Sequence, residues 1–278
     1  MIDMKKTDMI IFAGQSNMQG QTEGLPEDNT PVGDAYEYKY AEDSCVPLKH
    51  PVGENLTVGG KTEIVDFTDL HGALRKCALL AAWENSANMV PSFCRSYISE
   101  TDHHVVAVHT AKGSSDISLW QPGEACYEGM CLKIRAAIRK VQPDSLYIVW
   151  LQGESDAILG KSREYYMEKL ANLNRSLREQ FPIKKFGIIL VGEFTKDERD
   201  QQIIRAQKDI CRENDGFLML TTATEELVHR KEDMNPTVAG HYSILGQEYL
   251  GTAAGKALGQ YEITGNIAEP VSPVGDVF

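Results

Sequence analysis

Three short polar stretches carry the residue types that acyl transfer needs. They are Gly14-Gln15-Ser16, Gly113-Ser114-Ser115 and Gln152-Gly153-Glu154. Each follows an apolar run, so each reads as the turn at the end of a buried strand. Together they supply a hydroxyl, flexible backbone N–H groups, a carboxamide and a carboxylate. A serine hydroxyl is a nucleophile only beside a base, and the tetrahedral intermediate it forms needs donors for its oxyanion. Taken alone, the first stretch also fits an ordinary strand-to-loop turn with a capping serine. Three complementary turns are harder to reduce to that. The base must come from seven histidines. His103, His104 and His109 lie in or beside an apolar run and read as structural. His50 and His71 fall in or near a long polar stretch, and His229 and His241 follow the last strand. No His-x-x-x-His pair or Cys/His cluster points to a metal, and no cofactor motif is present.

These turns need a scaffold that holds them on one edge. Apolar runs at 9–13, 104–110, 145–151, 186–191 and 217–221 read as five strands buried on both faces. Between them the spacing predicts helices over 70–83, 91–98, 127–141, 163–181 and 198–214, with a small-residue helix at 243–258 closing the fold. The clearest is 163–181, where Met167, Leu170, Leu173, Leu177 and Phe181 form a stripe that Pro182 ends. Alternating strands and helices imply right-handed βαβ units. The expected class is α/β: a three-layer α/β/α sandwich of flavodoxin type, with a five-stranded parallel sheet and helices on both faces. In such a sheet ligands bind at the carboxyl ends of the strands, where the three turns lie. Residues 1–259 are read as one domain, 19–69 as a long loop shaping the active site, and 260–278 as an extended tail over the surface or toward a second subunit.

The formal net charge of −12 argues against nucleic acid or an anionic membrane as partner and favours a neutral substrate. No apolar stretch is long enough to span a bilayer, and the first residues lack a signal-peptide core, so the expected location is cytoplasmic. The six cysteines are scattered and are expected to be reduced.

GQSNM at 14–18 followed by WLQGESD at 150–156 resembles the SGNH hydrolases, and more closely their sialate O-acetylesterase / acetylxylan esterase branch, carbohydrate esterase family six. Lys112-Gly113-Ser114-Ser115, with Ile117 and Trp120, matches the second block of that family, and the likeness extends from Met9 to about Gly251. The resemblance implies Ser16 as nucleophile. It implies an oxyanion hole from the N–H groups of Ser16 and Gly113 and the Gln152 carboxamide. HYSILGQEYLG at 241–251 resembles the last block, which begins at the catalytic histidine, here His241. The family places Asp three residues earlier, where this chain has Val238. A second register, with Asn235-Pro236-Thr237 in place of His-Pro-Thr and Glu232 as acid, would remove the base. His241 is preferred, with Glu154 as its acid and Asp233 as second choice. Gln15, Asn17 and Ser114 are expected to touch substrate. The expected activity is removal of O-acetyl groups from a small acetylated sugar or oligosaccharide. A catalytically silent sugar-binding protein and a lipase or thioesterase on the same fold are the alternatives.

Overall fold

In a computed structural model the described residues are 5–54 and 86–267. The first strand, β1 (Thr7–Gly14), is apolar from Met9 to Ala13 and buried throughout that run. It occupies the middle of a seven-stranded sheet of order β3-β2-β4-β1-β5-β6-β7, where β2 is Ala35–Lys39, β3 Ser44–Pro47, β4 His104–His109, β5 Ser145–Leu151, β6 Ile183–Ile189 and β7 Phe217–Thr221. All neighbours are parallel except β3, which runs antiparallel to β2. The five strands read from the sequence are present. The count of five is corrected to seven, because 19–69 contributes a hairpin that extends one edge.

That hairpin hides a carboxylate where sequence patterning expects solvent. Glu37 on β2 is 1% exposed, accepts from the Gly53 N–H at 2.8 Å and pairs with Lys39 at 2.8 Å. Glu54 in turn accepts from the buried Lys133 ammonium at 2.5 Å and from the Tyr40 and Ala41 N–H groups. These bonds compensate desolvation that would otherwise expel both acids.

Strand side chains alternate between two cores. Met9, Ile11 and Ala13 face α3 (Ala125–Val141), α5 (Arg163–Gln180) and α6 (Glu198–Glu213). Ile10 and Phe12 face α2 (Val90–Thr101) and α8 (Ile244–Thr264). Three short α-helices complete the set among the described residues: α1 (Ser16–Gln19), α4 (Glu154–Ile158) and α7 (Thr224–Leu227). Helices therefore cover both faces. The small residues of α8 let its backbone approach α2: a Cβ at Gly251 or Gly255 would lie 2.1 Å from Ser92 Oγ or 2.2 Å from the Phe93 carbonyl. This helix continues to Thr264, past residue 259 where the sequence reading ends the domain. The predicted helix at 70–83 and the end of the tail lie outside the described residues. No described helix is long and apolar enough to cross a membrane.

Candidate active site

The carboxyl end of β1 passes so close to β5 that only glycine fits. Gly14 has φ +144°, and a Cβ there would lie 2.0 Å from the Leu151 carbonyl oxygen. The Gln15 N–H bonds that same oxygen at 3.0 Å, and the chain then turns into α1 with Ser16 as its first residue. An N–H in a first helical turn has no partner within its own helix. Among the described residues the Ser16 N–H has no acceptor. The turn after β4 is drawn in by the Lys112 N–H, which donates to the Gly14 carbonyl at 2.8 Å. Gly113 follows beside Ser16: a Cβ there would lie 3.7 Å from Ser16 Cβ and 2.7 Å from Gln19 Oε1. Its N–H likewise has no acceptor among the described residues. Ser114 is exposed with φ 59°.

His241 arrives from the far end of the chain, on a turn shaped by Asn235. The Asn235 side-chain oxygen accepts from the N–H groups of Thr237 and Val238, at 2.8 and 3.2 Å, and the Asn235 N–H donates to the His241 carbonyl at 2.8 Å. The residue that a different register would place as base is thus a turn former. His241 Nδ1 lies 2.9 Å from the Ala239 carbonyl oxygen, which only accepts, so Nδ1 carries the proton and Nε2 the lone pair. Nε2 is buried and unpartnered among the described residues. Burial pushes this imidazole below its ordinary pKa, partly offset by the Ala239 and Val238 carbonyls.

Asn17, next to Ser16, ties the two ends of the chain together. Its Nδ2 donates to the Gly240 carbonyl at 3.2 Å, its Oδ1 accepts from the Tyr242 N–H at 3.3 Å, and its own carbonyl accepts from Gln247 Nε2 at 2.8 Å. Both residues flanking His241 are therefore held by the residue that follows Ser16.

The structure does not bring the expected acid into contact with His241. Glu154 Oε1 accepts from Asn17 Nδ2 at 2.7 Å, and Glu154 makes no bond to His241. Burial raises its pKa, against the lowering effect of Asn17. Asp233 pairs instead with Arg230 at 2.8 Å. The group facing His241 Nδ1 is a backbone carbonyl, which no side-chain motif signals. Gln152 likewise meets protein partners. It is wholly buried, and its Nε2 donates toward Asp156 Oδ2 at 2.6 Å, the Ser115 carbonyl at 2.9 Å and Gln15 Oε1 at 3.2 Å. Its two N–H bonds thus face three acceptors from the protein. The Gln15 oxygen is also occupied, by the Gly153 and Ser155 N–H groups. Of the three residues expected to touch substrate, Gln15 and Asn17 are instead buried and turned to protein, and Ser114 faces solvent.

Phe194 was missed. Its ring stands edge-on to His241 with centroids 6.4 Å apart. The signal was a fourth glycine-containing strand end, Val191-Gly192-Glu193-Phe194.

The profile of the family described as "Carbohydrate esterase, sialic acid-specific acetylesterase" matches residues 6–258. The chain belongs to this family. As a member it is a carboxylic ester hydrolase. Among solved structures, it is similar to a protein from Arabidopsis thaliana (18% identity, 91% of this chain and 97% of that one, TM-score 0.63). It is also similar to NanS (14% identity, 95% and 99%, TM-score 0.60). A carbohydrate acetylesterase from Xanthomonas citri shares the fold as well, with 15% identity over 93% of this chain and 56% of that one, and a TM-score of 0.53. No curated protein sequence matches the chain.

A cleft of about 570 Å³ opens between residues 26–33, α2 and the start of α8 and is lined by neither Ser16 nor His241. One described cluster has a metal-like donor set: Asp8, His103 and Glu262, at the opposite end of the sheet. Asp8 Oδ2 is engaged by Tyr97 and His103, and Glu262 by Lys184 at 2.6 Å, while Asp8 Oδ1 is buried without a hydrogen-bond partner among the described residues.

Proposed function

We propose that this carbohydrate esterase is a serine O-acetylesterase acting on an acetylated sugar through a Ser16–His241 dyad. Ser16 Oγ attacks the acetyl carbonyl carbon while its proton passes to His241 Nε2. The carbonyl oxygen, now an anion, is received by the N–H groups of Ser16 and Gly113. Collapse of the tetrahedral intermediate breaks the bond to the sugar oxygen, which leaves with the proton from His241. Water then repeats the sequence on the acetyl-serine, releasing acetate. The Ala239 carbonyl holds the Nδ1 proton, the orienting role that a carboxylate fills in a triad. The observation that carries this reading is the free, buried Nε2 of an imidazole whose other nitrogen is fixed.

The test is Ser16→Ala, assayed on an aryl acetate and on an O-acetylated monosaccharide. Hydrolysis of both should fall to near background with the melting temperature unchanged. Turnover within a few-fold of the parent protein would refute the serine mechanism. An intact parent protein inactive on both esters would favour the silent sugar-binding alternative.

A further inference from the structure

We infer that Asn17 and Glu154 act as a positioning couple for His241, an inference that rests on the esterase reading above. An Asn amide can be turned either way, and here the neighbours decide. A carboxylate only accepts hydrogen bonds, so Glu154 Oε1, 2.7 Å from the amide, draws the nitrogen to its side. The second N–H then meets the Gly240 carbonyl and the amide oxygen meets the Tyr242 N–H. The acid acts on the histidine through one intermediary, fixing the backbone on both sides of it. Glu154 is the first residue of α4, where the helix favours a negative charge. The couple joins segments 137 and 223 residues apart in sequence, and it contains no group that the acyl-transfer steps consume. Asn17 is 2% exposed and Glu154 3%, so neither is presented to a substrate.

Reversing the polarity of the pair tests this. Asn17→Asp sets two carboxylates at the present 2.7 Å contact, where both cannot be ionised. The other charge that Glu154 feels, Asp200, is also negative and gives no relief. The expected result is a kcat about 100-fold lower with KM nearly unchanged, the scale of a displacement of about 1 Å in a catalytic group. Glu154→Gln keeps an acceptor but loses the directional preference and should lower kcat about tenfold. When Asn17→Asp and Glu154→Gln are combined, the amide now carried by α4 donates to the carboxylate now carried by α1. The double variant should therefore recover kcat at least about tenfold over Asn17→Asp alone, a coupling that independent sites do not show. An Asn17→Asp kcat within threefold of the parent overturns the inference. So does a double variant no better than that single one, and so does an effect confined to KM.

If Asn17→Asp does not fold, Glu154→Gln and Glu154→Ala carry the test. Their kcat should fall in the order parent, Gln, Ala at constant KM, and equal values overturn the inference. Ser16→Ala is run alongside. Full turnover there removes the Ser16–His241 mechanism itself, whereas a silent Ser16→Ala with a fully active Asn17→Asp removes only the positioning couple.

Discussion

Gln152→Ala separates two roles for one side chain. An oxyanion donor would cost about 2.7–4 kcal/mol of transition-state stabilisation, seen as a roughly 10²–10³-fold loss in kcat. The contacts in the structure predict a different result. Removing the carboxamide leaves Gln15 Oε1 with the Gly153 and Ser155 N–H groups, and Tyr166 with Gln207 and the backbone carbonyl of residue 152. Asp156 keeps the Ile117 N–H at 2.9 Å but loses the 2.6 Å bond from Gln152. The Ser115 carbonyl loses its 2.9 Å partner. A bond to a charged group is worth about 1.5–3 kcal/mol, and an acceptor left buried without a partner costs about 1–3 kcal/mol. The sum is about 2.5–6 kcal/mol of stability, or a fall in Tm of roughly 5–24 °C at about 2–4 °C per kcal/mol. Differential scanning calorimetry reads the first quantity, and initial rates on an aryl acetate at about 20 °C read the second. The expected outcome is the large Tm shift with kcat within about tenfold of the parent. A Tm within about 2 °C of the parent together with a 100-fold loss in kcat would refute this reasoning and return Gln152 to the oxyanion hole.

Other outcomes follow from single contacts. His241 is held below its ordinary pKa by burial, so its base form persists below pH 6.5; the acid limb of kcat/KM should have its midpoint under 6.5, and a midpoint at about 7 or above would contradict this. Asp156 is pushed up to about 7 by burial. An acid raised in the folded state contributes stability that is full below its unfolded value near about 4 and lost as pH rises through about 7. Asp156→Asn should therefore flatten the decline in Tm between about pH 4 and pH 7, and an unchanged decline would count against the shift. Gly14→Ala places a Cβ 2.0 Å from the Leu151 oxygen at φ +144°. Strain and overpacking together should cost about 2–6 kcal/mol in a urea titration, and a loss under about 1 kcal/mol would mean that the strands part more easily than their packing implies.

What was legible in the sequence follows from what each feature depends on. Strands β1, β4 and β5 are near-continuous apolar runs because helices cover both of their faces, and such runs can be read directly. The hairpin could not be read that way. Ala-Tyr-Glu-Tyr-Lys shows a charge at its centre, and beside Lys39 it takes the Gly53 N–H and the Lys133 ammonium, both distant in sequence, to make that position habitable. At the site, the turns bearing Ser16 and Gly113 announce themselves by glycine at a strand end. The roles of Gln152, Glu154 and Asn17 depend on which partner each amide or carboxylate meets, and all three meet partners from other turns. Val238 in place of an expected acid pointed to a gap. The Ala239 carbonyl that faces His241 has no letter of its own.

That carbonyl changes what mutation can reach. An orienting carboxylate is lost by one substitution, but every residue type carries a backbone oxygen. Side-chain changes at 238 and 239 therefore leave the acceptor of the imidazole proton in place. The burden moves to the path of the chain, and so to Gly240. Its φ is +74°, and a Cβ would lie 2.1 Å from the Phe194 ring. The orientation of the base is inherited through a shape, and the position intolerant of drift is the one with no side chain.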